Sequence, residues 1–217
     1  MKNTLTFKQL DVDSVLDEVD LLTIARLIYD TDPYIYPAMC SAAEAEKIIP
    51  YLLSAGTDSM FCKQNLFVAR LNNNVVGVIL WHNGSLVWKQ KAFIEACNSQ
   101  SIRLAPTFEQ VAREYLSTYD QPTADISIIN VCVDSSVRGR GVGTEMLKAF
   151  IARHKCESME LVTLTENTIA IDLYKRRGFE ILQEEDGFST EDPKPRCYIM
   201  SRLAHKYNSN SIQLCSN

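Results

Sequence analysis

The segment from Ile126 to Thr144 reads ISIINVCVDSSVRGRGVGT. Its first eight residues, up to Val133, are mostly apolar and predict a buried central strand. Glycines follow at positions 139, 141 and 143, and an amphipathic pattern then predicts a helix from about Gly143 to Lys155. The sequence therefore predicts a strand, a tight glycine loop and a helix in direct succession.

The glycine loop has the chemistry of an anion-binding site. The first N–H groups of a helix have no partner within the helix, and the helix dipole places positive charge at the same end. Glycine accepts turn geometry that other residues resist and lets a phosphate approach closely. Arg138 adds positive charge, and Arg140 either adds to it or faces solvent. We expect the loop to bind a phosphate or pyrophosphate; the alternative is a loop that only turns the chain.

Two common phosphate-binding patterns do not fit this loop. In the dinucleotide pattern G-x-G-x-x-G, the third glycine after Gly139 and Gly141 would fall at Thr144. The Walker pattern needs a Gly-Lys-Ser/Thr triplet, and none follows. A nucleotide-binding oxidoreductase is therefore disfavoured.

Two segments resemble the GNAT superfamily of acyl-CoA N-acyltransferases. Residues Arg138 to Gly143 are similar to its R/Q-x-x-G-x-G/A loop, which cradles the pyrophosphate of acetyl-CoA. Residues Asn167 to Phe179, NTIAIDLYKRRGF, are similar to its N-x-x-A-x-x-L-Y-x-x-x-G-F signature and follow in the same order. With their flanks these segments cover about 126–181, and the resemblance extends more loosely over about 4–203.

The resemblance implies an α/β GNAT fold, in which a mixed, twisted central sheet is flanked by helices and carries a helical insertion between the third and fourth strands. It also implies acetyl-CoA as the acyl-donor cosubstrate. In the family, the strand at 126–133 splays from a parallel neighbour, here about 159–164, and the pantetheine arm lies in the gap. The expected cosubstrate contacts are Val131, Cys132, Val133, Arg138, Gly139, Arg140, Gly141, Val142, Gly143, Thr144, Asn167 and Ala170.

The resemblance assigns the catalytic role to Tyr174. In the family, a backbone N–H polarises the thioester carbonyl, an amine attacks directly, and a tyrosine protonates the leaving thiolate. The alternative for Tyr174 is a helix tyrosine whose ring packs in the core. Asn167 is expected to cap the following helix, to contact the cosubstrate, or both. Ala170 either leaves room for the cosubstrate or is an ordinary helix alanine.

The acceptor side is less determined by sequence. Many family members place a glutamate on the central strand as general base, whereas this strand reads Ile128-Ile129-Asn130. By the resemblance, Tyr34 and Tyr36 are candidate substrate contacts. His82 is either a base or a structural residue at a strand end. The acidic residues 184–186 either reach the site or form a surface loop, and Cys132 is expected to pack rather than act as a nucleophile.

The remaining elements follow from local patterns. A first strand is predicted over 4–10 and a loop at Tyr34–Pro37. A helix is predicted over about 14–29, with an apolar face formed by Val15, Val19, Leu22, Ala25 and Ile28. The Ser41–Glu44 capping box begins a second helix, and a hairpin joins 66–71 to 75–81 through an asparagine turn. Two helices are predicted within 83–124, the second with Thr107 and Gln110 placed for a cap and a stripe from Phe108 to Leu116. The predicted strands after the second motif are 179–183 and 196–203.

Composition limits the function classes. The 217 residues include 46% apolar and 23% charged residues with a net charge of −5, which fits one globular domain and disfavours non-specific nucleic-acid binding. No apolar run approaches the roughly 20 residues of a membrane span, and no signal sequence is recognised. Seven scattered cysteines without a C-x-x-C pair predict reduced thiols, no metal site and a cytoplasmic location.

Taken together, the sequence predicts one GNAT acetyltransferase domain over 1–204 and a polar tail over 205–217. The expected activity is transfer of an acetyl group from acetyl-CoA to a primary amine of a small molecule or peptide. Nucleic-acid and membrane partners are not expected, and paired domains in the family make a homodimer reasonable. The alternative is a sensor that binds acyl-CoA without turnover, which the absence of a strand carboxylate favours and the presence of Tyr174 disfavours.

Overall fold

A mixed sheet organises the chain in the computed structural model, which describes residues 4–56, 59–83, 90–114 and 123–204. Within these residues, seven strands form one sheet in the order β1-β2-β3-β4-β5-β7-β6. The strands are β1 Leu5–Gln9, β2 Leu66–Leu71, β3 Asn74–Asn83, β4 Ile126–Val133, β5 Met159–Leu164, β6 Glu180–Asp186 and β7 Arg196–Arg202. The helices are α1 Glu18–Tyr29, α2 Ile35–Met39, α3 Ala42–Ser54, α4 Gln90–Ser99, α5 Phe108–Glu114, α6 Val142–Arg153 and α7 Thr168–Lys175.

The parallel strands β4 and β5 separate after a short paired region. The pairs run from Ile126 opposite Met159 to Ile128 opposite Leu161, whereas β4 continues to pair with β3 as far as Val133. A gap therefore opens between the carboxyl-terminal halves of β4 and β5, as the family resemblance implies. Ligands of open α/β sheets bind at this edge, outside the carboxyl ends of parallel strands.

Each face of the sheet carries its own hydrophobic core. The first core packs α1 to α5 against one face. The second packs α6 and α7 against the other, where the Phe150 ring lies 5.5 Å from the rings of both Phe67 and Trp81. The predicted α/β fold, with helices on both faces of a mixed sheet, is confirmed.

Helix α1 begins later than predicted, and its predicted apolar face is only partly turned inward, because Ala25 and Ile28 are buried but the valines at its start are not. Val15 and Val19 are 89% and 67% exposed, whereas Asp20 is buried. Asp20 receives two hydrogen bonds from the Arg70 guanidinium, at 2.9 and 2.6 Å. Because this bidentate ion pair compensates the burial of the carboxylate, the helix can present Asp20 rather than Val19 to the sheet.

The loop predicted at Tyr34–Pro37 is wrong, because residues Ile35–Met39 form helix α2. The Asp32 carboxylate accepts the backbone N–H groups of Tyr34 and Ile35, each at 2.8 Å, and so satisfies donors at the start of the helix. Pro37 lies within the first turn, where a missing N–H costs no helical hydrogen bond.

The helical insertion lies between β3 and β4, as predicted. Helices α4 and α5 are joined by stacked rings of Phe93 and Phe108, with centroids 5.1 Å apart. The Thr107 hydroxyl, predicted to cap the second of these helices, donates to the Ala38 carbonyl of α2. Leu116 and its neighbour Tyr115 lie outside the described residues.

Several local predictions are confirmed. Ser41 and Glu44 form a reciprocal capping box at the start of α3. Asn72 and Asn73 take positive φ values of 51° and 71° in the hairpin turn between β2 and β3. The acidic residues 184–186 are not a surface loop, however, because they complete the edge strand β6.

No helix in the described part of the chain is long and apolar enough to cross a membrane.

Candidate active site

The glycine loop is held by backbone geometry at the start of α6. Gly139 and Gly141 have φ values of +74° and +80°, a region that L side chains rarely adopt, and Gly141 is the N-cap of the helix. Gly143 serves a different purpose, since a Cβ there would lie 3.3 Å from Cγ2 of Val133 on β4. Two glycines thus permit the turn, and the third permits close contact between helix and strand.

The loop places positive charge beside the open end of β4. Arg138 is exposed, and its Nε donates to the Val133 carbonyl at 2.9 Å, so its guanidinium lies against the strand end. Arg140 is exposed, and the first amides of α6, at Val142 to Thr144, have no partner within the helix. The Asp134 side chain accepts the Ser136 N–H at 2.8 Å and fixes the preceding turn. These groups together form a preorganised cationic surface suited to a phosphate.

A cavity of about 470 Å³ extends from the β4–β5 gap to both faces of the sheet. Helix α7 and its N-cap contribute Asn167, Ala170 and Tyr174 from the side of the second core. Helix α2 and its N-cap contribute Tyr34 and Tyr36 from the opposite side. Val131 of β4 also lines it. The structure therefore brings six of the predicted site residues around one cavity. Cys132, Val133, His82 and the loop residues 138–144 do not line it.

Tyr174 lies in the wall of this cavity. Its side chain is 7% exposed, and its ring lies 5.8 Å from that of Phe179. Burial, and secondarily the nearby Cys132, raises the pKa of Tyr174 above its ordinary value of 10. In the described part of the chain no group hydrogen-bonds the phenol, so its O–H remains available to a ligand. A phenol that stays protonated at neutral pH is suited to a proton donor rather than a base.

Asn167 fulfils one of its two predicted roles in the fold itself. Its Oδ1 accepts the Ala170 N–H at 3.3 Å and caps α7. Because Asn167 also lines the cavity, the cap and a contact with a bound molecule are compatible.

A buried hydrogen-bond chain, which sequence reasoning missed, builds the other side of the cavity. The Tyr36 hydroxyl donates to Asn130 Oδ1 at 2.8 Å, and Asn130 Nδ2 donates to Thr31 Oγ1. Thr31 in turn donates to the Ile28 carbonyl at 2.6 Å. Tyr36 and Asn130 are each 5% exposed, so this chain fixes the α1–α2 junction against β4. The only sequence signal was an asparagine within an apolar strand.

Two predicted candidates lie elsewhere. His82 is 5% exposed and pairs with Ser127 across β3 and β4, and the structure does not bring it to the cavity. Cys132 is buried in the first core, and burial raises the pKa of its thiol, which agrees with a packing role. Among the described residues, no group of three or more His, Cys, Asp or Glu side chains is placed to hold a metal ion.

The comparison with protein families agrees with this geometry. A sequence model described as "Acetyltransferase (GNAT) family" matches residues 35–179. The chain belongs to this family. The match includes both GNAT segments, α2 and the β4–β5 gap, and all of these except the glycine loop contribute residues to the cavity lining. No curated protein matches the chain significantly.

Solved structures share the GNAT fold at low sequence identity. An N-acetyltransferase from Staphylococcus aureus Mu50 aligns with a TM-score of 0.62 and 17% identity, covering 90% of this chain and 99% of its own. A structure from Corynebacterium glutamicum, titled histone acetyltransferase HPA2 and related acetyltransferase, aligns with a TM-score of 0.58 and 22% identity, covering 95% and 99%. The NatC complex bound to Gag peptide and CoA aligns with a TM-score of 0.53 and 17% identity, covering 92% and 98%.

Proposed function

We propose that the protein is an N-acetyltransferase that moves an acetyl group from acetyl-CoA to a primary amine of a small molecule or peptide, by direct attack in a ternary complex. The observation that carries this proposal is the cavity through the β4–β5 gap. Tyr174 faces it from one side of the sheet and α2 from the other, so a donor and an acceptor can meet without sharing a binding surface.

The donor side of the cavity suits acetyl-CoA. The amides of residues 142–144, with Arg138 and Arg140, would hold the pyrophosphate at the start of α6. Backbone groups of Val131 to Val133, which β5 leaves unpaired, would bind the pantetheine arm, and Asn167 and Ala170 would flank it. Acetyl-CoA supplies an activated thioester when bound, and Tyr174 would give its phenolic proton to the departing sulfur.

The acceptor class is an amine on a peptide or small molecule. Two structural neighbours are complexes with peptide-type ligands, the NatC complex with Gag peptide and Arabidopsis thaliana Naa50 with the bisubstrate analogue CoA-Ac-MVNAL. The net charge of −5 favours an acceptor that carries positive charge.

We further propose that residues 1–204 form a single acetyltransferase domain that acts in the cytoplasm.

Donor binding is tested by thermal unfolding with acetyl-CoA, CoA and NADH. Acetyl-CoA at 100 times its dissociation constant should stabilise the protein by about 2.7 kcal/mol. A shift with NADH but none with acetyl-CoA or CoA would contradict the proposal.

Turnover is tested by following free-thiol release with a panel of diamines, amino acids, aminoglycosides and peptides, with product mass spectrometry. We expect the mass of at least one amine to increase by about 42 Da, because an acetyl group replaces one hydrogen, and we expect one thiol to be released per product. Tight acetyl-CoA binding without turnover on any amine would identify the protein as an acyl-CoA sensor instead.

A further inference from the structure

The cavity is lined by carboxylates that differ in their partners. Among the described residues the lining carboxylates are Asp32, Glu114, Glu160, Glu185 and Asp186. All but Asp32 interact with another side chain. These partners are Lys194 for Glu114, Ser127 and Thr123 for Glu160, Gln183 for Glu185, and Arg196 for Asp186.

Asp32 is held only by backbone groups. Its Oδ1 accepts the N–H groups of Tyr34 and Ile35, both at 2.8 Å. In the described part of the chain no cation and no side-chain donor contacts it, so Oδ2 keeps its capacity to accept. Both bonds fix the carboxylate in position, because they come from successive residues at the start of α2.

Asp32 lies over the β4–β5 gap on the side opposite Tyr174. Its neighbour Thr31 is bonded to Asn130, in the part of β4 that has separated from β5. On the other side of the gap, burial and then the nearby Asp32 raise the pKa of Cys197 on β7 to about 11. Asp32 is therefore next to a residue bonded to β4, and it shares the cavity lining with Cys197 of β7.

Tyr174 places a second polar group on the same cavity as Asp32. It is a polar side chain, 7% exposed, that lines the same cavity and whose hydroxyl lacks a partner among the described residues. A hydroxyl that opens into a cavity and has no partner in the fold is available to donate to a bound molecule.

We propose that Asp32 is the catalytic residue that binds the acceptor's ammonium group and removes its proton. This inference rests on the proposed acetyltransferase function. Asp32 would supply the general base that β4 does not provide. Asn130 of β4 has no carboxylate, and its side chain is already hydrogen-bonded to Tyr36 and Thr31.

The proton and electron balance is complete with these residues. Asp32 Oδ2 takes one proton from the ammonium, and the nitrogen lone pair then forms the C–N bond as the thioester C–S bond breaks. Tyr174 gives its proton to the departing sulfur and regains one from the nitrogen as the amide forms. Asp32 releases its proton to water. The net change is RNH₃⁺ plus acetyl-CoA to the amide, CoA and H⁺.

Burial raises the pKa of Asp32 above its usual range, which makes the carboxylate a better base. The base must be ionised, so kcat/KM should fall as the pH falls through this raised pKa. Other titratable groups line the same cavity from the elements around Asp32. They are Tyr34 at the N-cap of α2, Tyr36 of α2, Glu114 of α5, Glu160 of β5, Tyr174 of α7, Glu185 and Asp186 of β6, Lys194, and Cys197 of β7.

The test compares Asp32→Asn with the matched control Asp30→Asn. Asparagine retains Oδ1 and both backbone hydrogen bonds but cannot take a proton. Asp30 is exposed at the end of α1 and does not line the cavity. With an amine acceptor found in the panel, we expect Asp32→Asn to lower kcat/KM at pH 7 by about 100-fold, and Asp30→Asn to stay within about 3-fold of wild type.

A second acceptor of lower basicity separates proton removal from folding defects. With an analogue whose amine pKa is about 6, most molecules are already neutral at pH 7, so the loss in Asp32→Asn should shrink to less than about 5-fold. An Asp32→Asn variant as active as wild type, or one with equal losses on both acceptors, would overturn the proposal.

Failure of the proposed function and failure of the Asp32 assignment would give different results. If wild type neither binds acetyl-CoA in the thermal assay nor acetylates any amine, the function itself is wrong. If wild type turns over and Asp32→Asn retains acetyl-CoA binding and turnover, the function stands and only the role of Asp32 is refuted.

Discussion

The two sides of the β4–β5 gap are built in different ways. The donor side, with the glycine loop and α7, comes from one continuous segment, and backbone geometry such as φ +80° at Gly141 shapes it. The acceptor side joins distant parts of the chain through side chains, and its Asn130–Thr31 bond spans 99 residues. Properties of the donor side are therefore local in sequence, whereas those of the acceptor side depend on tertiary packing.

The largest expected effect on the donor side is a loss of catalytic rate without a loss of acetyl-CoA binding. Tyr174→Phe should lower kcat by about 100-fold or more, roughly 2.7 kcal/mol in barrier, because the proton donor is lost. Acetyl-CoA affinity should stay within about twofold, as measured by calorimetry. Tyr198→Phe, which removes a hydroxyl from a residue packed against the same core but outside the cavity, is the control. Equal kcat in Tyr174→Phe and wild type would show that another group protonates the thiol.

On the acceptor side, the hydrogen-bond chain should matter for stability as well as for binding. Asn130→Ala removes the hydrogen bonds that join the Tyr36 hydroxyl and Thr31 to β4, and we expect urea unfolding to show a loss of about 2 kcal/mol. The acceptor KM should rise while acetyl-CoA affinity changes little.

The same chain gives a test by non-additivity. The losses from Asn130→Ala and Tyr36→Phe should not add in the double variant, because the two residues share one interaction. Additive losses would show that the two side chains stabilise the junction independently.

A smaller effect is expected where the donor side depends on glycine. Gly141→Ala should cost about 1 kcal/mol of stability, since φ +80° disfavours a Cβ although no atom lies within 4 Å of its place. It should also weaken acetyl-CoA binding by disturbing the loop. Gly56→Ala is a matched control, because Gly56 has φ +58° and similarly open surroundings outside the cavity lining. If both variants lose acetyl-CoA affinity to a similar extent, the glycine loop has no specific role in binding acetyl-CoA.

The last effect is confined to stability and concerns a local contact near the acceptor side. Ser41→Ala removes one half of the capping box of α3 and should cost about 1 kcal/mol in urea unfolding. Both Michaelis constants should remain unchanged. A raised acceptor KM would mean that the acceptor side responds to local helix stability as well as to long-range bonds.

The sequence predicted features whose cause is local. The asparagine turn, the Ser41 capping box and the Asn167 cap each depend on neighbouring residues, and the structure contains all three. The strand at 126–133 was likewise predicted with its observed limits. These elements were predictable because short-range hydrogen bonds and backbone preferences determine them.

The features that sequence missed depend on partners far along the chain. Val19 was assigned to the buried face because nothing near Asp20 announces its ion pair with Arg70, 50 residues away. From sequence, Asn130 was read only as the absence of a carboxylate on β4, because its partner Tyr36 lies far away along the chain. Hydropathy patterns record burial but not the pairing that allows a polar group to be buried.

The 99-residue separation between Thr31 and Asn130 has a consequence for protein synthesis. A chain emerging from the ribosome completes α1 and α2 long before residue 130 is translated, so the junction waits for its anchor on β4. Contacts between residues so far apart also close large loops, which slows their formation. We therefore expect the acceptor side to acquire its final shape late in folding, after α1 and the hairpin of β2 and β3 have formed.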